Sequence, residues 1–305
     1  MKKVSVIMPN FNHAPFLKER MDSILAQTYA DIEIILLDDA STDDSVAILK
    51  QYTTNPKVKE LIVGETNSGN TFVQWQRGLA KASGEYVWIA ESDDVAKPAL
   101  LKTLVDTLEQ NDAVVAFCAS RKMDENGVVI PQSVDCVWQK DFSLSGPEFV
   151  RKYLLGYNYI QNASAVVFRR EATMHVDFAA VQQYPASGDR LFWIEMAMQG
   201  RVAYVAEPLN GFRQHARKVS GTAENRGINM QQDHAIYSRF KERLNLTRRE
   251  RQWVCGYHWQ AIQKATVSAD GRKQAMQAWS AEKEFNCWSY WLYMVHRLRE
   301  KIVNV

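Results

Sequence analysis

Two patterns alternate along the first part of the chain. Short, nearly continuous apolar runs at Val4–Met8, Ile32–Leu37, Val58–Val63 and Tyr86–Ala90 are expected to be strands buried on both faces, as parallel strands covered by helices are. Between them, Phe16–Thr28 sets Leu17, Met21, Ile24, Leu25 and Thr28 on one helical face. Ser41 with Asp44 looks like a capping box for a helix reaching Tyr52, and Thr71–Ala82 predicts another helix after a turn at Asn67–Asn70. The order is βαβαβ. Its strand ends converge on Asp39, Asn67 and Asp93.

Pro98 then opens a helix with Leu100, Leu101, Leu104, Val105 and Leu108 on one face, and Val114–Cys118 follows as a strand. Asn126-Gly127 signals a hairpin, and Ser145 and Glu148 around Pro147 a helix start. Ser164–Phe168 is a strand, Ser187–Gln199 a helix stopped at Gly200, and Val202–Val205 a strand. From Glu224 onward the pattern is helical, without repeats or a low-complexity linker.

The run Tyr86–Ala90 stops abruptly at Glu91, Ser92, Asp93 and Asp94. In an open α/β sheet the ligand crevice lies beyond the carboxyl ends of the strands, where three acidic side chains would crowd like charges. A cation between them would relieve that. Oxygen ligands suit Mg²⁺ or Mn²⁺, whose remaining positions substrate phosphates commonly fill. The competing reading makes Asp93 and Asp94 caps of the helix that Pro98 opens. In the same way Asp38 could simply close the Ser41 turn.

With 305 residues and 46% hydrophobic content the chain can bury a full core. A net charge of +2 gives no global reason to expect nucleic acid. Cys118, Cys136, Cys255 and Cys287 form no CxxC pair, which fits buried thiols in the cytoplasm. Pro9 ends the first apolar run too early for a secretory segment, and no apolar run reaches the ~20 residues that span a bilayer.

Four stretches, VSVIMPNFN, EIILLDDASTDDS, NSGNTFVQWQRGLAKASGEYVWIAESDD, and SGDRLFW followed by GFRQH, resemble the family 2 glycosyltransferases in content and order. The resemblance implies a GT-A fold, a Rossmann-like and mostly parallel α/β sheet flanked by helices, with a helical C-terminal extension. It divides the chain into a catalytic domain at 1–223, with a nucleotide part at 1–97 and an acceptor part at 98–223, and a helical region at 224–305. It implies an inverting enzyme that moves a sugar from a nucleotide-diphosphate donor, a UDP-sugar above all, to an acceptor hydroxyl in bacterial surface glycan synthesis.

By the same resemblance Asp93 and His215 hold a divalent metal, Mn²⁺ or Mg²⁺, and Asp189 is the catalytic base. Asp39 accepts a hydrogen bond from the pyrimidine, and Pro9, Asn12, Asn67, Arg77, Glu91, Ser92, Asp94 and Arg213 line the nucleotide. Arg213 and Arg217 could pair with phosphate oxygens. Glu91 stands where the family more often has aspartate, Gln76-Arg77 where many members have Arg-Asn, and Gly188 where it often has glutamate. For Asp189 the residue pattern alone equally allows an acid complementing a helix dipole.

The tail combines Phe285, Trp288, Tyr290, Trp291, Leu292, Tyr293, Met294 and Val295 with His296, Arg297, Arg299 and Lys301. Such a segment suits the inner face of a membrane, and then a lipid-linked rather than a free glycan acceptor, or it packs on the catalytic domain or on a second subunit as a homodimer. Two other functions compete: a nucleotide-sugar binding protein that has lost catalysis, and a sugar-nucleotide nucleotidyltransferase. The second needs a glycine-rich first loop, and Pro9–Pro15 contains no glycine.

Overall fold

The structure, a computed structural model, describes residues 2–134, 138–215 and 227–303. Cys136 and Arg217 lie outside these residues, as do the side chains of His296, Arg297, Arg299 and Lys301. The chain divides into two compact units: Met1–Gly146, Ile160–Pro185 and Glu195–Ala216 form the first, and Pro147–Tyr159, Ala186–Ile194 and Arg217–Val305 the second. The boundary expected at 223/224 takes no account of the two short segments, 147–159 and 186–194, that group with the C-terminal helices.

The first unit opens with β1 (Val4–Asn10), α1 (Ala14–Leu25), β2 (Ile32–Asp38), α2 (Ser45–Tyr52), β3 (Val58–Val63), α3 (Thr71–Lys81) and β4 (Tyr86–Ile89). It continues through β5 (Val95–Ala96), α4 (Leu100–Gln110), the hairpin β6 (Ala113–Met123) and β7 (Val129–Val134), and β8 (Phe142–Ser145). After the four-residue α5 (Gly146–Phe149), most of which belongs to the second unit, come β9 (Val166–Arg169) and α6 (Phe178–Gln183); α7 (Gly188–Ala197) starts in the second unit, and β10 (Arg201–Arg213) closes the first.

Among the described residues ten strands form one sheet in the order β3-β2-β1-β4-β9-β6-β10-β5, with β7 on β6 and β8 on β10. The first four neighbours run parallel; β9 lies antiparallel to both β4 and β6, and β6 and β10 are again parallel. Every residue of β1, β2 and β4 is buried, which is why these segments are apolar throughout rather than alternating. Leu17, Met21 and Ile24 of α1 and Leu100, Leu101, Leu104 and Leu108 of α4 pack with Val6, Met8, Leu36 and Trp88. Each such side chain contributes about 1.5–3 kcal/mol by leaving water, so packing rather than capping holds these helices. Gly78 lets α3 settle on β1, because a Cβ there would fall 2.3 Å from Ile7 Cγ2.

Three elements differ from the sequence expectation. Helix α2 begins at Ser45 without a side-chain cap, because the Ser41 hydroxyl donates instead to Asp38 Oδ2 at 2.7 Å. The Ser164–Phe168 strand starts later, at Val166, after a 3₁₀ turn in which the Ser164 amide donates to the Asn162 side chain. Strand β10 runs well past Val205, because a bulge between Val205 and Pro208 absorbs the proline and pairing with β6 resumes. That extension carries the chain to Arg213.

The second unit contains α8 (Ile228–Lys241), α9 (Arg248–Lys264), α10 (Ala269–Trp279) and α11 (Cys287–Val303). A capping box of Thr247 and Glu250 starts α9. Tyr293 and Phe285 are buried while Trp288 and Trp291 are exposed, so the C-terminal aromatics split between a packed and an open face. Among the described residues no helix is long and apolar enough to cross a membrane. Gly256 brings α9 against α11: an added Cβ would lie 2.3 Å from the Ser289 carbonyl oxygen and 2.7 Å from Tyr293 Cβ. Gly256→Ala is therefore expected to destabilise this unit by about 1–3 kcal/mol, the usual cost of overpacking. A thermal melt with an unchanged midpoint would show that the two helices can move apart freely.

Candidate functional site

Of three neighbouring parallel strands, β2 and β1 end level with one another, since Asn10 pairs with Asp38, while β4 stops at Ile89 opposite Ile7, so the turn after it runs alongside the end of β1. Their loops build the site. Asp38 is buried and accepts from Asn10 Nδ2 at 2.7 Å and from the Ser41 amide at 2.8 Å, so it closes the turn. Asn12, at φ 56°, accepts from the Thr42 amide at 2.8 Å and so ties the first loop to the second. Pro9 lies buried within β1.

Asp39 is 5% exposed; its carboxylate accepts from the Ser68 amide at 3.0 Å, the Ser68 hydroxyl at 2.7 Å and Gln74 Nε2, with Arg77 4.0 Å away. Asn67 donates to the Asp39 carbonyl at 3.2 Å. Asn12, Asp39 and Asn67 thus sit in three loops that hydrogen bonds tie together, with Arg77 on α3 beside them.

The turn after β4 carries the acids. His215 Nε2 lies 2.9 Å from Asp93 Oδ2, and His13 Nδ1 lies 2.8 Å from Ser92 Oγ. His13, Asp93 and His215 offer three ligand atoms that all lie within 4.8 Å of one another, a set that could hold a divalent metal. His13 is absent from the sequence expectation. A lone histidine in a polar loop carries no signal of its own, and only the pairing of β1 with β4 brings it to Ser92.

The expected crowding of three carboxylates is relieved in three different ways. Burial raises Asp93, but the hydrogen bond with His215 and the two imidazoles outweigh it and hold the carboxyl below its ordinary value. Glu91 is pushed up to about 8 by burial and by the Asp93 charge, which favours its neutral form, and Trp75 Nε1 donates to it at 2.9 Å. Asp94 is raised to about 6 by burial and by Asp93, and it turns away to accept from Asn162 Nδ2 at 2.8 Å and the Arg213 amide at 3.0 Å.

Two arginines complete this arrangement. Arg213 is 1% exposed, and its guanidinium reaches no open surface. It donates to the carbonyls of Asp93 at 2.7 Å and Glu125 at 3.0 Å, meets Glu19, and lies 4.8 Å over the Phe16 ring. The guanidinium is therefore committed to protein acceptors rather than turned out towards phosphate. Arg20 on α1 is fully buried, lies 4.7 Å over Trp88 and donates to Ser164 Oγ at 3.2 Å, while its Nε and Nη1 find no hydrogen-bond partner among the described residues. Burial lowers it to about 10, against the pull of Asp94, Asp93 and Glu91. Part of the positive charge that the acidic turn requires is thus built into the fold.

Asp189 belongs to the second unit, in the first turn of α7. Its Oδ2 accepts from Asn158 Nδ2 at 3.1 Å, and burial pushes its carboxyl up to about 6 against the opposing effect of the Arg190 amide and charge. Arg190 itself pairs with Asp233 at 3.1 Å, and the Ser187 hydroxyl donates to Asp233 at 2.8 Å.

The family model for glycosyl transferase family 2 matches residues 5–175. An uncharacterized glycosyltransferase of Nostoc sp. is 35% identical over 133 residues, 43% of this chain and 40% of that one, so the match spans less than half of that relative. The S. aureus TarS structure in complex with UDP-GlcNAc superposes with a TM-score of 0.67 at 16% identity, covering 91% of this chain and 79% of TarS. The Pyrobaculum calidifontis mannosyltransferase PcManGT, in complex with GDP-Man and Mn²⁺, gives 0.55 at 19% identity over 95% of this chain and 83% of that one. These likenesses show a GT-A fold. With the family model covering more than half of its residues, the chain belongs to the family 2 glycosyltransferases.

Proposed function

We propose that this glycosyltransferase moves a sugar from a UDP-sugar to a hydroxyl of a bacterial surface glycan, with inversion at the anomeric carbon. The observation that carries the reading is the His13, Asp93 and His215 constellation, at the same end of the sheet as Asp39. The neighbours TarS and PcManGT, which hold UDP-GlcNAc and GDP-Man with Mn²⁺, support a nucleotide-diphosphate donor and a metal.

A divalent ion held by these three side chains would offset the negative charge that grows on the departing diphosphate. The protein's own contribution begins at Asp189. Its carboxyl, raised to about 6, is ionised at neutral pH yet basic enough to take the acceptor's proton. The acceptor oxygen then bonds to the anomeric carbon from the face opposite the diphosphate. The bond from that carbon to the phosphate oxygen breaks, and the electron pair leaves with the nucleoside diphosphate. Asn158 holds the Asp189 carboxylate in one orientation.

Mn²⁺ together with UDP-sugars is expected to raise the melting temperature more than Mn²⁺ with GDP-sugars. Equal stabilisation by both would remove the base preference. Asp39→Ala tests the base pocket more directly, because uracil presents an N3 proton that cytosine lacks. UDP should lose about tenfold in affinity relative to CDP, the worth of one hydrogen bond to a charged acceptor. The ratio decides the matter, since the same change also frees Ser68 and Gln74 and lowers both affinities. Release of UDP from the donor without acceptor distinguishes the enzyme from a nucleotide-sugar binding protein.

A further inference from the structure

The turn that carries Asp189 is gripped on both sides of that residue by α8, and we propose that Gln232 and Asp233 of this helix are positioning residues for the base. The proposal rests on the reading of Asp189 as that base. Helix α7 opens at Gly188, so Asp189 lies in its first turn, where backbone amides have no partners within the helix. Just ahead of it, the amides of Ala186 and Ser187 both donate to one oxygen, Gln232 Oε1, each at 3.0 Å. The next residue of α8 takes the side chains: Asp233 Oδ1 accepts from the Ser187 hydroxyl at 2.8 Å and meets Arg190 Nη1 at 3.1 Å. Ser187, Arg190 and Asp233 are all buried. Ser187 and Arg190 bracket Asp189 along the chain, and Asn158 holds its Oδ2 directly. All of these residues belong to the second unit.

Adjacent residues of a helix do not face one another's neighbours as residues three or four apart do. Here both serve one turn, the glutamine through main-chain amides and the aspartate through side chains. Stability alone is a weak reason for such an arrangement, because a buried carboxylate and guanidinium lose in desolvation about what their attraction returns. What the pair fixes is orientation. A base acts only within hydrogen-bond reach of the proton it takes, and a displacement of about 1 Å can slow a reaction about 100-fold. Gln232 and Asp233 lie in the C-terminal region, outside the stretches that carry the family resemblance. The helical extension thereby becomes part of the catalytic apparatus.

Charge gives the same contacts a second effect. Burial raises Asp189 to about 6, Arg190 favours its ionised form and Asp233 opposes it, so the two partners of the ion pair act on the base in opposite directions. Asp233 is itself raised by burial, against Arg190 and the Ser187 hydroxyl. The other titratable groups facing the pair come from α9. Burial raises the Tyr257 hydroxyl far above its ordinary value and lowers His258 to about 3, which favours the neutral form of both. Removing the Asp233 charge therefore leaves Arg190 unopposed beside Asp189.

The test compares the whole chain with Gln232→Ala, with Asp233→Asn, and with Asp233→Asn combined with Arg190→Gln. Asp233→Asn keeps the size of the side chain and an acceptor for Ser187. Both single variants should retain UDP affinity and donor KM while kcat falls about 10–100-fold. The acid limb of kcat should stay near pH 6 in Gln232→Ala, which changes no charge, and should move down by about one pH unit in Asp233→Asn. In the double variant, which removes both charges, it should return towards 6. Gln232→Glu keeps the acceptor oxygen and should recover kcat relative to Gln232→Ala. An NMR titration of isotope-labelled aspartate carboxyls, with the Asp189 signal assigned by its loss in Asp189→Asn, reads the same movement without turnover. Native kcat and an unmoved Asp189 titration in the folded single variants overturn the proposal. So does a loss of kcat matched by an equal loss of UDP affinity, which would make α8 ordinary scaffolding. Failure of the base reading shows separately, as normal transfer by Asp189→Asn; α8 then has no base to position, although the carboxyl titration still moves in Asp233→Asn.

Discussion

Asp189→Asn should transfer sugar at least ~100-fold more slowly than the native enzyme, the usual contribution of a general base, while binding the donor equally well. The amide keeps the size of the side chain and an acceptor oxygen for Asn158, but it cannot take a proton. The native rate should also fall as pH drops through about 6, where the Asp189 carboxyl becomes protonated. Stability should move the other way. Because the folded-state value lies above the unfolded one, the folded protein holds this proton more tightly. The resulting stability is complete below about pH 4 and is lost as pH rises through about 6. Relative to the native protein, the amide variant should therefore gain melting temperature between acid and neutral pH. If Asp189 merely complements the α7 dipole, the substitution costs about 0.3–1 kcal/mol and turnover per folded molecule stays nearly unchanged. Normal transfer by a folded variant would remove Asp189 from the mechanism and direct attention to the acids of the turn after β4.

Asp93→Ala should abolish metal-dependent binding of UDP. The loss should exceed the ~10–100-fold that substitutions outside a ligand set typically cause. The fold should survive. Removing this charge relieves Glu91 and Asp94, both of which it pushes upward. Calorimetry with UDP and Mn²⁺ reads the effect, and undiminished affinity would mean that the ion, if bound, sits elsewhere. His13→Ala refines the test, because imidazole nitrogen favours Mn²⁺ and later transition ions over Mg²⁺. The native protein should prefer Mn²⁺, and the variant should lose Mn²⁺ affinity with a smaller change for Mg²⁺. Equal losses for both ions would exclude His13 as a ligand.

The parallel half of the sheet was legible because its strands are buried on both faces, and the acids after Ile89 stood out against that apolar run. What the sequence left obscure depends on neighbours across the sheet. Ser41 looked like a helix cap because Asp44 follows at the right spacing, yet Asp38 and Asn10, brought level by the β1–β2 register, compete for its hydroxyl and win. His13 and Ser92 are far apart in sequence and meet only through the adjacency of β1 and β4. Arg20 did leave a trace. It follows Leu17 by three positions and precedes Ile24 by four, which puts it on the buried face of α1. A charge on a core-facing stripe is a recognisable exception to amphipathic patterning, and here it points at the acidic turn. The end of β10 was missed for the opposite reason: Glu207-Pro208 looks like a stop, and the bulge that passes it has no local signature.

Arg213 gives this site a property that no ligand list conveys. The three metal-ligating candidates come from three separate loops, and a site assembled only part of the time would bind its ion with an affinity diluted by the assembled fraction. Through one guanidinium, the main chain of the turn bearing Asp93, the hairpin carbonyl of Glu125 and the carboxylate of Glu19 on α1 are joined to the strand end that bears His215 two residues later. These contacts are made by protein groups alone. If the proposed site holds its ion, an arginine that is not itself a ligand would thus help set the metal concentration at which the site is half-filled.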